Sequence, residues 1–164
     1  MQKNIIFLVI ILLTSCTLRP LYGTLDHNAS CALSQVDFTY PINSEEARAL
    51  ARHLDVYLNG YCRQDLPKKY TLTANVKKNE VGVLFIKTGE ATRKTIVLNA
   101  HLKLVNNITG KVLIEEMIEN TDSYSNLDSP YNEYITRRNS VDNAALGLST
   151  IIVNKLLRAL VEEK

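Results

Sequence analysis

Between Ile96 and Val105 apolar residues fall on alternate positions: Ile96, Leu98, Ala100, Leu102 and Leu104 share one side, while Asn99, His101 and Lys103 share the other. Successive side chains of a strand point to opposite faces, so this period of two predicts a strand buried on one side only. Asn107-Ile108-Thr109-Gly110-Lys111 has turn composition and Val112 to Ile118 returns, which predicts an antiparallel hairpin. The adjacent Glu115 and Glu116 break the alternation, as at an edge strand or a bulge. Upstream, Tyr70 to Val76 alternates in the same way, and Val81 to Ile86 either extends the sheet or forms a hairpin arm. Leu33, Val36, Phe38 and Tyr40 predict a first strand that Pro41 stops.

Two stretches change to helical spacing. Asn43 followed three residues later by Glu46 reads as a capping box, and Ala47, Leu50, Ala51, Leu54, Leu58 and Tyr61 recur on one face up to the stop signal Asn59-Gly60. Arg48, Arg52, Asp55 and Asn59 form the opposite, solvated face. The C-terminal stretch first reads as a polar loop, Asp122 to Asn139, followed by a helix, but loops of that length are uncommon inside compact domains. At 100° per residue Tyr131, Tyr134, Ile135 and Val141 fall on the same side as Ala145, Leu148, Ile152, Leu156, Ala159 and Leu160. One helix over residues 130–161 accounts for both halves, with Ser129 as N-cap, Pro130 at its first position and Gly147 allowing a bend. Leu146, Val153, Leu157 and Leu160 widen its apolar arc beyond one sheet contact, so part of it faces the other helix or a partner. The expected fold class is α+β: about four strands in a mostly antiparallel sheet, with two helices packed on one face.

The N-terminus has a different pattern. Lys3 and the apolar run Ile5 to Leu13 have the charge and length of a secretory signal, too short for the roughly twenty residues of a membrane span. Leu13-Thr14-Ser15-Cys16 then matches a lipobox, in which the cysteine becomes the acylated N-terminus. Several acyl chains such as palmitate on Cys16, at about 0.8 kcal/mol per buried methylene, would hold the chain to a membrane without a transmembrane helix. Thr17 stands where lipoproteins kept in the inner membrane often carry Asp, which favours the outer membrane. The expected organisation is a signal peptide over residues 1–15, a lipidated tether over 16–30 and one domain over 31–164, the mature chain being 149 of the 164 residues.

Nineteen basic against 17 acidic residues leave no overall field of the kind that drives nucleic-acid binding. His27, His53 and His101 are scattered and no cysteine spacing fits zinc, so neither a metal nor a cofactor is expected. Nor do Ser, His and Asp combine at a nucleophile elbow, or glycines in a phosphate loop, so no catalytic residue is assigned. Cys31 and Cys62 remain as a pair for an oxidising compartment, either as two buried thiols or as a disulfide. Geometry favours the bridge: a first strand of about 26 Å and a returning helix of about 27 Å bring the two positions together. Lys77-Lys78, Arg93-Lys94 and Arg137-Arg138 are candidate oxyanion-binding pairs, and Asp142, one turn after Arg138, is a candidate partner for it.

Several strings occur in an order that resembles one family. Pro20-Leu21-Tyr22-Gly23 after the lipobox, Ala91-Thr92-Arg93 opening a strand, Leu98-Asn99-Ala100-His101-Leu102, the Thr109-Gly110-Lys111-Val112 turn, Ser123-Tyr124, Ser129-Pro130-Tyr131 and the final amphipathic helix resemble LptE-type lipoproteins of lipopolysaccharide (LPS) assembly. Thr17-Leu18 and Thr136 to Asn139 depart from that pattern. The resemblance implies two helices over a four-stranded sheet, seated as a plug in the outer-membrane barrel LptD, with LPS passing to the cell surface. On that reading Arg93, Lys94, Arg137, Arg138, Lys77 and Lys78 are the residues that would meet LPS. An accessory lipoprotein of a lipid-trafficking ABC transporter, docked on a periplasmic substrate-binding component, is the alternative.

Overall fold

The computed structural model describes residues 31–41, 44–60, 62, 66–85, 91–125 and 129–163. Its elements are β1 (Val36–Thr39), α1 (Glu45–Asn59), β2 (Tyr70–Phe85), β3 (Ala91–Asn106), β4 (Val112–Ser125) and α2 (Pro130–Glu162). The four strands form one sheet in sequence order. β2, β3 and β4 are antiparallel neighbours, whereas β1 lies parallel to β2 with Val36 opposite Tyr70. A parallel neighbour needs a crossover connection, and α1 supplies it. The architecture is the α+β arrangement expected from the sequence.

Register explains which face the helices cover. Leu72, Ala74 and Val76 of β2, Ile96 through Leu104 on β3's even positions, and Ile118 of β4 are all buried on one side. Against them lie Ala47, Leu50, Leu54 and Leu58 of α1, and Val141, Ala145, Leu148, Ile152 and Leu156 of α2. Burying each such leucine contributes about 1.5–3 kcal/mol, and this is the main force that seats both helices on one face. The odd positions, among them Thr73, Asn75, Lys77, Asn79, Asn99 and His101, form a second face that no described helix covers.

Several details differ from the sequence reading. β2 is one 16-residue strand, without a break before Val81. α1 is capped by Ser44, whose Oγ accepts from Ala47 N at 3.1 Å; Asn43 lies outside the described residues. Its Asn59-Gly60 stop works through space rather than a left-handed turn: Gly60 has φ −79°, and a Cβ there would meet Val56 O at 2.3 Å. β4 runs to Ser125 and absorbs the start of the polar stretch, after which α2 continues unbroken through Gly147. That glycine leaves room for Asn120, whose Nδ2 donates to Ala144 O and would lie 2.1 Å from an added Cβ. Glu115 and Glu116 point to opposite faces of the edge strand β4, toward Lys103 at 3.6 Å and Lys155 at 2.8 Å, and the register shift falls at Leu104/Val105.

α2 is long and apolar enough to cross a membrane by length and composition. Its apolar arc is instead taken up by the sheet and α1: Val153 and Leu160 are buried and Leu157 is half-buried, which leaves Leu146 exposed. The arc stops short at its N-terminal end. Tyr131 and Tyr134, although in phase with the buried stripe, are 71% and 56% exposed, and at this end of α2 the side chains that reach the sheet are Glu133, to Lys94, and Arg137, to Glu80.

Candidate functional site

The ends of β2, β3 and β4 and the start of α2 meet at one edge of the molecule. Along β2 the buried positions Leu72, Ala74 and Val76 give way to Lys78 and Glu80 in the same phase, which places two charged side chains on the helix side of the sheet. A carboxylate in that position needs partners, since burial penalises a charge left alone. Arg137 Nε donates to Glu80 Oε2 at 2.9 Å, and Tyr124 Oη donates to Glu80 Oε1. Lys94 Nζ donates to Glu133 Oε1 at 2.8 Å and lies 3.7 Å from Glu80 Oε1. Three strands and a helix are thereby tied through one carboxylate.

Electrostatics follow from that geometry. Burial alone would raise the Glu80 carboxyl, but the hydrogen bonds from Arg137 and Tyr124 and the charges of Arg137 and Lys94 outweigh it and hold it below its ordinary range. The hydrogen bond to Glu133 raises Lys94, the one to Glu80 raises Arg137, and burial followed by Glu80 pushes the Tyr124 phenol up. Two cations and two carboxylates balance, so Lys94 and Arg137 do not stand as free anion-binding charges. Sequence reasoning missed Glu80 and Tyr124 as partners. The signal was present, because Glu80 continues the buried phase of a strand.

The other sequence candidates separate. Arg93 is exposed at the hairpin end, in register with Leu84 and Ser125. Around it Val81, Val83 and Leu84 are 51%, 51% and 59% exposed, so an apolar tip surrounds a cation. Lys77 and Lys78 are not a pair: Lys77 is exposed on the uncovered face, and Lys78 reaches Glu45 of α1 at 3.6 Å. Arg138 is exposed and lines a groove between α1 and α2. Asp142 is not its partner, since it binds Arg52 Nη2 at 2.9 Å and lies 3.2 Å from His53 Nε2. Arg52 and His53, the two side chains beside Asp142, both project from α1.

Cys31 and Cys62 form a disulfide with Cα atoms 4.9 Å apart. Cys16, with the lipobox and the Pro20-Leu21-Tyr22-Gly23 string, lies outside the described residues. Among the described residues no group of three His, Cys, Asp or Glu side chains is placed to hold a metal ion.

No protein-family model matches the chain, and no curated protein matches it in sequence. Solved structures do. A Caulobacter crescentus protein proposed to be a lipoprotein is similar with a TM-score of 0.68 at 20% identity, over 84% of this chain and 98% of that one. Rare lipoprotein B from Shewanella oneidensis is similar with a TM-score of 0.54 at 11% identity, over 78% and 94%. Lipoprotein B from Nitrosomonas europaea has a TM-score of 0.54 at 11% identity, over 72% and 78%. At these identities the likeness is one of fold: the chain has the fold of bacterial lipoproteins.

Proposed function

We propose that this chain is a non-catalytic, lipid-anchored partner of an outer-membrane barrel of the LptD kind, which it plugs and supports during LPS assembly. The observation that carries this reading is the uncovered sheet face. Thr73, Asn75, Asn79, Thr95, Asn99, Thr121 and Ser123 give it neutral donors and acceptors, and Lys77, Lys103, Glu115 and Glu119 on the same face balance in charge. The lumen of a large barrel is lined with polar groups, and such a face can exchange hydrogen bonds and ion pairs with it. Two further supports agree. The lipobox would place Cys16 at a membrane surface, and rare lipoprotein B, whose fold the chain shares, is a name of the LptE family.

LPS presents phosphates beside acyl chains, and the hairpin end offers Arg93 among exposed Val81, Val83 and Leu84. Lys94 and Arg137 serve to fix that end by holding Glu80 and Glu133. The test is depletion. A plug adds binding energy to the folded state of its barrel, so the amount of folded barrel and of surface LPS should fall together. Normal levels of both would point instead to the transporter-accessory role.

A further inference from the structure

The sheet has two outer edges, and they are not alike. β1 is four residues long. Its Gln35 side faces β2, where Gln35 O accepts from Lys69 N and Tyr70 N, while Lys68 Nζ takes the carbonyls of Ser34 and Val36 at 2.9 and 3.2 Å. Short length and an edge lysine are devices by which natural sheets refuse a further strand. β4 has neither. After the register shift at Leu104/Val105 its ladder with β3 runs unbroken from Ile114 to Ser125, without a proline, a glycine or a lysine.

Register shows which backbone groups of β4 are spare. Asn106 N donates to Lys111 O, so the even residues of β3 turn their N–H and C=O toward β4. Opposite them lie even residues of β4: Leu102 faces Glu116, Ala100 faces Ile118, Leu98 faces Asn120 and Ile96 faces Asp122. Backbone groups alternate in direction along a strand, so those of Glu115, Met117, Glu119, Thr121 and Ser123 point out of the sheet. Among the described residues no strand or side chain takes them. The polar contacts of α2 with β4 use even residues on the helix side, from Ser140 to Asp122, Ala144 to Asn120 and Lys155 to Glu116. An open edge of about 26 Å matches a full strand in length, and an extended chain pairs with it by main-chain hydrogen bonds.

Charge selects the kind of strand. Glu115, Glu116, Glu119 and Asp122 are carboxylates, and β4 carries no cation. Lys103 of β3 lies 3.6 Å from Glu115 and Lys155 of α2 lies 2.8 Å from Glu116, while Glu119 and Asp122 have no ion pair among the described residues. Lys77, in the same row as Glu119, is on β2, with Asn99 between them. A second copy of this chain fits poorly, because symmetrical pairing over Glu115 to Ser123 sets Glu119 against Glu119 and Glu116 against Asp122. Like charges directly opposite across strands destabilise, and opposite charges stabilise.

We infer that β4 is a docking edge for an extended segment of a partner protein that carries lysine or arginine and adds to the sheet as its next strand. The site uses backbone groups at the edge and does not depend on the identity of the barrel. The probe is a fluorescein-labelled peptide matched to Glu115 through Ser123, with lysine opposite each carboxylate, valine opposite Met117 and Ile118 and threonine elsewhere. It is titrated into the full chain in detergent and followed by anisotropy. A second peptide of equal charge, with proline in place of each valine and threonine, cannot extend a ladder and should bind about tenfold more weakly or less. In the protein, Met117→Pro removes an outward N–H without touching the ladder to β3 and should weaken the first peptide about tenfold, whereas Met117→Thr should leave it unchanged. Glu115→Gln with Glu119→Gln should weaken it several-fold. If circular dichroism shows that Met117→Pro does not fold, the proline peptide decides. Equal binding of the two peptides would overturn the inference, since charge alone would then account for it. No binding of the first peptide would overturn it as well, and so would self-association of the chain in sedimentation that Met117→Pro abolishes, which assigns the edge to a second copy.

Discussion

Removing the Cys31–Cys62 bridge changes the unfolded chain more than the folded one, so its effect can be calculated from sequence separation. The two cysteines are 31 residues apart. Closing a loop of that length removes about 3.7 kcal/mol of chain entropy at 25 °C from the unfolded state. For a domain of this size each kcal/mol moves the midpoint of melting by about 3–5 °C, so Cys31→Ala with Cys62→Ala should lower Tm by about 11–18 °C. Both side chains are half-buried, so the cavity left by two sulfurs adds little. The assay is a far-UV circular dichroism melt of the soluble domain, compared with the unaltered domain in reductant; the two drops should agree. Nearby structure sets what else is lost. The bridge joins the entry to β1 with the exit of α1, where Lys69 N and Tyr70 N both donate to Gln35 O and start the parallel pairing. A drop below about 3 °C would refute the reasoning, because the unfolded chain would then hold these positions together without the bond.

Three further outcomes follow from the packing. Glu80→Gln should cost about 1–2 kcal/mol, because Arg137 and Lys94 lose a partner on a half-exposed side chain. A carboxylate held low stabilises the fold above its ordinary value of 4.5 and loses that contribution as the pH falls through its lowered value, so an acid titration of stability should be flatter in the variant. Gly147→Ala should destabilise by about 1–2 kcal/mol despite the helix propensity gained, since its Cβ displaces Asn120 from Ala144 O; in an Asn120→Ala background the sign should reverse, which a double-mutant cycle by urea melts reads directly. Leu98→Ala, at a fully buried site on the central strand β3, should cost about 2–5 kcal/mol in the same melts.

Periodicity made most of the fold legible. Leu98, Ala100 and Leu102 on one side of β3, and the shared phase of Val141 with Leu156, specify a one-sided sheet and a single long helix. Phase failed at Tyr131 and Tyr134, because it describes a helix alone: there the side chains that reach the sheet are Glu133 and Arg137, held by Lys94 and Glu80. The charged pairs failed for a related reason. Neighbours in sequence on a strand, such as Lys77 and Lys78, point to opposite faces, while the partners of Lys94 and Arg137 come from β2 and α2. Asp142 was assigned to Arg138 by helical spacing alone, but Arg52 reaches it from the other helix. Long-range pairing of this kind leaves only a weak mark in sequence, here Glu80 in the phase of Val76.

The central claim is a stable union with an outer-membrane barrel. Its most direct measurement is mild-detergent extraction of the full-length tagged chain from native membranes, followed by mass-spectrometric identification of what co-purifies in stoichiometric amount. One large β-barrel protein of the LptD kind should co-purify with the chain. Recovery of an ABC transporter with its periplasmic binding component, or of the chain alone at full yield, would contradict it.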